Sequence, residues 1–447
     1  MEKRTGLFSN GIIWFGVAIS VSEIEAGIEI GAASASGSLW LPLVLGHVLG
    51  GILLFFVGLI GARVRLNAME TTQSTFGKYG SKFFAALNTF QLLAWVAVLN
   101  AQGASALAGL NLPISFPLTC IILAVLIAIW VYVGLRRSAN VTTVVMASLA
   151  VLLAVLSVKL FVLDGSASSV AGTTVAGTAA GAAALLGFWN IFEISIAMPI
   201  SWLPVISDYT KDVEKPVKAT AVSAAAYTFA SLWMYILGIE IAGIGSGTSI
   251  AQAILLAGLG IPGIIIVVLS TVTTNFLAAN SAGESSKAIY NKVNPKVAGV
   301  VVSLLSAALA ISGIMEHYIS FLYLIASVFA PMAAVLLVSF YFAKAGTSVD
   351  QNSGAVYPGA SDARESGASD TSESKAVDAR ENSAGASSKA FWLWNLFAWL
   401  AGFIVYQVAE RLDYVPLGPT LVAVIVSAVL AYARVLVLSR RASPSAS

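Results

Sequence analysis

Ser20-Val21-Ser22-Glu23-Ile24-Glu25-Ala26-Gly27-Ile28-Glu29 places three carboxylates inside the first long apolar run of the chain. An ionisable side chain at membrane depth costs roughly 2.5 kcal/mol or more unless it is paired or hydrated, so such residues mark sites. A second stretch, Phe188-Trp189-Asn190-Ile191-Phe192-Glu193, is followed by Pro199 and Pro204. The two stretches open two successive five-span halves, and interrupted helices at corresponding positions of two halves point to an inverted-repeat transporter. Span 1 is expected to break at its Ser and Gly cluster. Span 6 is expected to break over Ala197 to Ser201, where Pro199 removes a backbone donor and clashes with the preceding turn. A proline kink alone would leave the carboxylates unexplained.

The rest of the chain supplies the medium. Of 447 residues, 58% are hydrophobic and 10% charged, with a mean hydropathy of +0.88, whereas a soluble domain carries roughly 25% charged residues. The 24 Lys and Arg are too few to coat a soluble surface, so most apolar side chains face lipid or pack between membrane helices. About twelve stretches approach the length of roughly 20 apolar residues that a spanning helix needs. They fall at 10–34, 38–62, 82–108, 115–135, 140–163, 181–206, 217–244, 260–282, 296–314, 317–343, 390–409 and 415–438. Lys and Arg collect in alternate connections, with only Lys159 and Arg411 on the other side, which predicts an even number of spans and both termini cytoplasmic. The expected location is the plasma membrane. A cleavable signal peptide is rejected because Glu23, Glu25 and Glu29 interrupt the supposed apolar core. Residues 345–389 are rich in Ser, Ala, Gly, Asp and Glu and read as a disordered cytoplasmic linker. Its Asp362-Ala363-Arg364-Glu365 returns as Asp378-Ala379-Arg380-Glu381, a small local duplication. The net charge of +2 gives no reason to expect a nucleic-acid partner; the lipid bilayer is the large partner.

Helical geometry sorts the candidate site residues. Glu25 and Glu29 lie about 40° apart on a helix, while Glu23 points roughly 160° from Glu25, so the three cannot serve one pocket. Glu25 and Glu29 are expected to line a hydrated outer vestibule, and Glu23, beside the break, to contact ligand. Gln91, Trp95 and Gln102 form one stripe on span 3 that suits a flat polar heterocycle, interhelical hydrogen bonding being the alternative. Span 8 carries Ser270, Thr271, Thr273, Thr274, Asn275 and Asn280. Hard cations prefer such oxygen ligands, although Thr hydroxyls also bond back to their own helix. His47, among Gly46, Gly50 and Gly51, reads as a structural donor rather than a proton relay. The single cysteine, Cys120, excludes an internal disulfide. The chain has no HExxH, GxSxG, phosphate loop or Cys/His cluster, which argues against an enzyme and against a bound cofactor.

Ile19 to Gly27, Gly46 to Gly51, Gln91 to Trp95 with Gln102-Gly103-Ala104, Glu193 to Pro204 continuing into Ser207-Asp208-Tyr209-Thr210-Lys211, and Leu269 to Thr274 together resemble CytX-type permeases. These are hydroxymethylpyrimidine transporters of the nucleobase:cation symporter family. The resemblance covers about residues 5 to 340. It implies an all-α LeuT-like fold with broken helices 1 and 6, two inverted five-helix repeats and two peripheral helices. The ten-helix transport unit would be 1–343, the peripheral pair 390–438 and a cytoplasmic tail 439–447. It also implies alternating access and a planar ring held between helices 1, 3, 6 and 8. By position, Glu23, Gln91, Trp95, Glu193 and Asn275 fall on those helices, and Thr273 and Thr274 fall where relatives place two sodium ligands. Trp189 and Trp202 compete for the tryptophan that helix 6 contributes. Ala278 stands where an acidic residue is expected on helix 8.

The expected function is cation-coupled import of hydroxymethylpyrimidine, a thiamin precursor, with Na+ or H+ as the coupling ion. The alternatives are a cytosine, purine or allantoin permease, which would use amides more than carboxylates, and a non-transporting membrane receptor or scaffold.

Overall fold

The computed structural model describes residues 4–33, 39–110, 112–170, 186–245, 248–343, 374–412 and 415–442. Its first span is two helices, α1 (Leu7–Ala18) and α2 (Val21–Ala33), bent by 50° at a two-residue break. Ile19 leaves helical geometry there (φ −80°, ψ 82°). The Ser20 hydroxyl then accepts the Glu23 amide at 3.2 Å and so starts α2. Ser20-Val21-Ser22-Glu23 is thus both a polar insertion and a helix start signal.

The chain continues through α3 (Trp40–Val64), α4 (Ala68–Thr71), α5 (Gln73–Gly109), α6 (Phe116–Val133) and α7 (Leu135–Val170). The second half opens with α8 (Phe188–Ser201), a run of turns, and α9 (Ile206–Thr210), followed by α10 (Pro216–Ile244), α11 (Ile250–Leu256), α12 (Gly260–Ile289), α13 (Pro295–Ile311) and α14 (Tyr318–Phe342). Two further helices, α15 (Ser374–Ala409) and α16 (Gly418–Ala442), close it. Among the described residues, nine single helices and the bent α1–α2 pair are long and apolar enough to cross a membrane. The shorter α13, with 17 residues, and the interrupted α8–α9 pair complete the expected series of spans.

Two expectations shift. Span 6 breaks at Trp202 to Val205, beyond Pro199, which stays inside α8. The Pro199 ring fits against Gly50 of α3, while Pro204 has no N–H to offer the carbonyl of Ile200, so the helix ends before it. The end of the stretch 345–389 is helical rather than irregular. Residues 344–373 lie outside the described set, but α15 begins at Ser374, where Ala, Glu, Lys and Arg extend the spanning helix towards its own N-terminus.

Packing sorts eight of the ten core spans into two groups, with α7 lying against both. One is a bundle of α1–α2, α3, α8–α9 and α10; the other is a scaffold of α5, α6, α12 and α13, with α14 between the bundle and the α15–α16 pair. The bundle is drawn tight by glycine. A Cβ at Gly27 would overlap the backbone of Tyr235, and one at Gly238 would overlap Ile24 O, so α2 and α10 touch backbone to backbone.

At the N-terminal end, segments distant in sequence are knitted by backbone bonds. Thr5 N donates to Asp212 O and Glu214 N to Thr5 O, and the Arg65 guanidinium reaches Lys211 O (2.9 Å) and Val213 O. Asn67 and Glu70 form a capping box on α4, and the Ala68 amide of the same turn donates to Asp208 Oδ1 at 2.8 Å.

Candidate functional site

Glu23 is 2% exposed and sits inside the bundle. Its Oε1 accepts the Tyr227 hydroxyl at 2.9 Å and its Oε2 the Ser231 hydroxyl at 2.7 Å, both from α10. Ser231 also meets His47 Nε2 at 3.0 Å, and His47 Nδ1 lies 2.6 Å from Ser195 Oγ. One polar chain, Glu23–Ser231–His47–Ser195, therefore links all four spans of the bundle. Ser22, one residue before Glu23 and about 100° round the helix, faces the other way and pairs with the Tyr318 hydroxyl at 2.8 Å.

Between α5 and α12 several polar atoms are buried without partners. Asn88 Nδ2 bonds Ser285 Oγ at 2.8 Å, and Gly103 packs on Thr271 Oγ1, an antiparallel register that sets Asn275 level with Leu99, one turn from Trp95. Asn275 is fully buried, and neither its Oδ1 nor its Nδ2 has a hydrogen-bond partner. Gln91 Oε1, Trp95 Nε1 and Thr271 Oγ1 are also unpaired. A buried polar atom without a partner costs about 1 to 3 kcal/mol, so a set of them around one helix pair indicates a place prepared for a ligand. Gln91 Nε2 is held by Asn88 Oδ1 at 2.8 Å and approaches Ser201 O, at the end of α8, at 3.4 Å. Trp95 meets Tyr318 and Phe321 edge-on, with centroids 6.3 and 5.5 Å away.

The break in span 1 faces α12. Ser270 Oγ donates to Ile19 O at 2.9 Å and Thr274 Oγ1 to Val17 O at 3.3 Å. Thr273 turns instead to its own helix, donating to Leu269 O at 2.7 Å.

The sequence pattern of the permeases for cytosine/purines, uracil, thiamine and allantoin matches residues 1–353. The chain belongs to this permease family. It is thus a transporter rather than an enzyme. Its fold is similar to Mhp1, a nucleobase-cation-symport-1 family transporter, in a closed conformation with bromovinylhydantoin bound (TM-score 0.69, 17% identity, 99% of this chain and 94% of that one). It is also similar to the inward-facing conformation of Mhp1 (TM-score 0.66, 18% identity, 98% and 92% covered). A substrate-bound, outward-open Na+-coupled sialic acid symporter shares the fold as well (TM-score 0.63, 11% identity, 97% and 90% covered). No curated protein matches the chain.

Within the permease, Gln91 and Trp95 follow one another on α5, and Asn275 of α12 lies one turn along the α5 register from Trp95. Glu23 does not join them, because the rotation of α2 that brings Ser22 to Tyr318 sends the Glu23 carboxylate into the bundle. Glu193 is directed to the peripheral helices: its Oε1 accepts the Thr420 amide at 3.0 Å and its Oε2 the Thr420 hydroxyl at 2.6 Å. Trp189 packs on Phe188 and Phe192 near the start of α8, roughly 18 Å along the helix from Ser201. Trp202 is the helix 6 tryptophan at the break, edge-on to Trp14 with centroids 6.0 Å apart. Of Thr273 and Thr274, Thr274 faces the break and Thr273 does not; Ser270, one turn earlier, faces it as well. The signal for it was available, since positions four apart on a helix share a face.

Proposed function

We propose that this permease imports hydroxymethylpyrimidine, or a closely related aminopyrimidine, across the plasma membrane by cation-coupled alternating access, with both termini cytoplasmic. The observation that carries the reading is the unpartnered Asn275 amide, one helical turn along the α5–α12 register from Trp95. A carboxamide offers one donor and one acceptor side by side, the complement of an exocyclic amine next to a ring nitrogen, as in amide recognition of adenine. Trp95 supplies a flat apolar wall and Gln91 Oε1 one further acceptor, so a planar ring is oriented without any ionised group in contact. Binding would draw the ends of α1, α2, α8 and α9 towards the ring, because Gln91 already reaches α8 and Tyr318 already reaches Ser22. Cytosine has the same amine-and-nitrogen edge, and the predominance of amides favours it as the second reading.

The coupling ion in this reading is Na+, travelling as co-substrate. Val17 O, Ile19 O, Ser270 Oγ and Thr274 Oγ1 already meet at the break in span 1, and hydroxyls that now donate to carbonyls can rotate to present oxygen to a hard cation. Glu23–Ser231–His47 is the corresponding candidate for H+ coupling. The test is uptake of labelled hydroxymethylpyrimidine and cytosine into cells lacking pyrimidine salvage, with Na+ and pH varied separately. Ser270→Ala and Thr274→Ala are each expected to raise the Na+ concentration for half-maximal uptake about tenfold while changing the maximal rate far less. Uptake driven by a proton gradient without Na+ would move coupling to Glu23, and absence of uptake for every ring would refute transport of this substrate class.

A further inference from the structure

A cavity of about 270 Å³ opens where α2 and α5 end and α14 begins, lined by Glu25, Glu29, Glu316, Gln102, Tyr318, Ile28, Met315 and Ser320. It is separate from the Trp95 face. Gln102 lies seven residues beyond Trp95 on α5, about 10 Å further along the axis. Three features of its lining are unresolved by the protein alone. Glu25 and Glu29 are one helical turn apart on α2, a like-charge spacing that destabilises a helix when both are ionised and that a cation between them relieves. No Lys or Arg among the described residues forms an ion pair with Glu25, Glu29 or Glu316. Gln102 is 2% exposed on the cavity wall, and neither its Oε1 nor its Nε2 has a hydrogen-bond partner.

We infer that this cavity is a second binding site, taking a planar organic cation that carries several N–H donors, such as an aromatic amidinium or a protonated aminopyrimidine. Carboxylates of α2 and the exposed Glu316 accept the donors; Gln102 Oε1 accepts another; Ile28 and Met315 supply the apolar flanks of a ring. A metal ion fits less well, because among the described residues no three His, Cys, Asp or Glu side chains come close enough to share one. The site also has a physical link to the Trp95 face. Tyr318 lines the cavity, bonds Ser22 at 2.8 Å and meets the Trp95 ring, so an occupant of the cavity touches a residue that packs on the proposed substrate wall. With the orientation set by the positive charges, the cavity is on the outer side, where it would capture cationic rings ahead of translocation.

The inference stands apart from the transported substrate and is tested without transport. Benzamidine, cationic at neutral pH, and benzamide, its neutral counterpart, are titrated into the purified full-length chain in lipid nanodiscs at physiological salt. The expected result is saturable binding of benzamidine and none of benzamide. Glu25→Gln and Glu29→Gln are each expected to weaken benzamidine about tenfold and Gln102→Leu severalfold, while Glu410→Gln, on the α15–α16 connection, leaves it unchanged. Equal affinity for benzamide, or unaltered benzamidine binding in the Glu25→Gln/Glu29→Gln double variant, overturns the proposal. So does stronger binding of calcium ions at the same carboxylates. If the double variant does not fold, Glu316→Gln and Gln102→Leu carry the test, and no loss at either overturns it. Failure of hydroxymethylpyrimidine uptake with benzamidine binding intact would reject the substrate and keep this site.

Discussion

Asn275→Leu is expected to make the ligand-free permease more stable and its substrate binding weaker. The two effects have opposite signs because the amide is buried with both polar atoms unpaired. Leucine keeps the γ-branched shape and removes an unmet desolvation cost of about 1 to 3 kcal/mol from the ligand-free protein, so its thermal midpoint should rise. The same change removes a paired donor and acceptor from the proposed ring site. A bidentate amide contact is worth about 1 to 3 kcal/mol, which at its middle is roughly a 30-fold loss of affinity. Thermal unfolding of purified protein and substrate binding on the same preparation read both signs. Loss of stability with binding unchanged would mean that Asn275 is a structural residue and that the ring sits elsewhere.

Glu193→Leu is expected to do the reverse, lowering stability strongly and leaving substrate affinity within about twofold. The carboxylate acts as a cap supplied from another helix: it accepts the Thr420 amide in the first turn of α16 and the Thr420 hydroxyl beside it. A negative group is favoured at a helix N-terminus, and here it anchors a peripheral helix to a broken one. Removing it strands two buried donors at a cost of about 4 kcal/mol in all. Gly418 tests the same contact from the other side. Its φ of +71° suits glycine, and a Cβ there would overlap Glu193 Oε1, so Gly418→Ala should also destabilise and should add less than its full effect to Glu193→Leu. Thermal melts of the two single variants and the double variant give the coupling. A collapse of substrate affinity at Glu193→Leu with the melt unchanged would return Glu193 to the ring site.

The chain by itself determined its medium, its class and the neighbourhood of its site. Apolar runs long enough to span, a paucity of charge, and polar or proline interruptions in spans 1 and 6 are local properties, readable because a membrane forces each span to satisfy its own backbone. The helix-start pattern Ser20 to Glu23 and the stripe Gln91–Trp95 were legible for the same reason: each depends on spacing within a single helix. What only the tertiary structure decided is where each polar side chain points. Glu23 and Glu193 are carboxylates in the two interrupted spans, equivalent by sequence. One is taken by Tyr227 and Ser231 inside the bundle, the other by Thr420 of the last helix. Thr273 and Thr274 are adjacent hydroxyls, yet one returns to its own helix and the other meets the break. The rotation of a helix about its axis is set by the neighbours it packs against. Here that means the glycine contact of α2 with α10 and the register of α5 on α12, which join residues hundreds of positions apart and leave no periodic trace in the sequence.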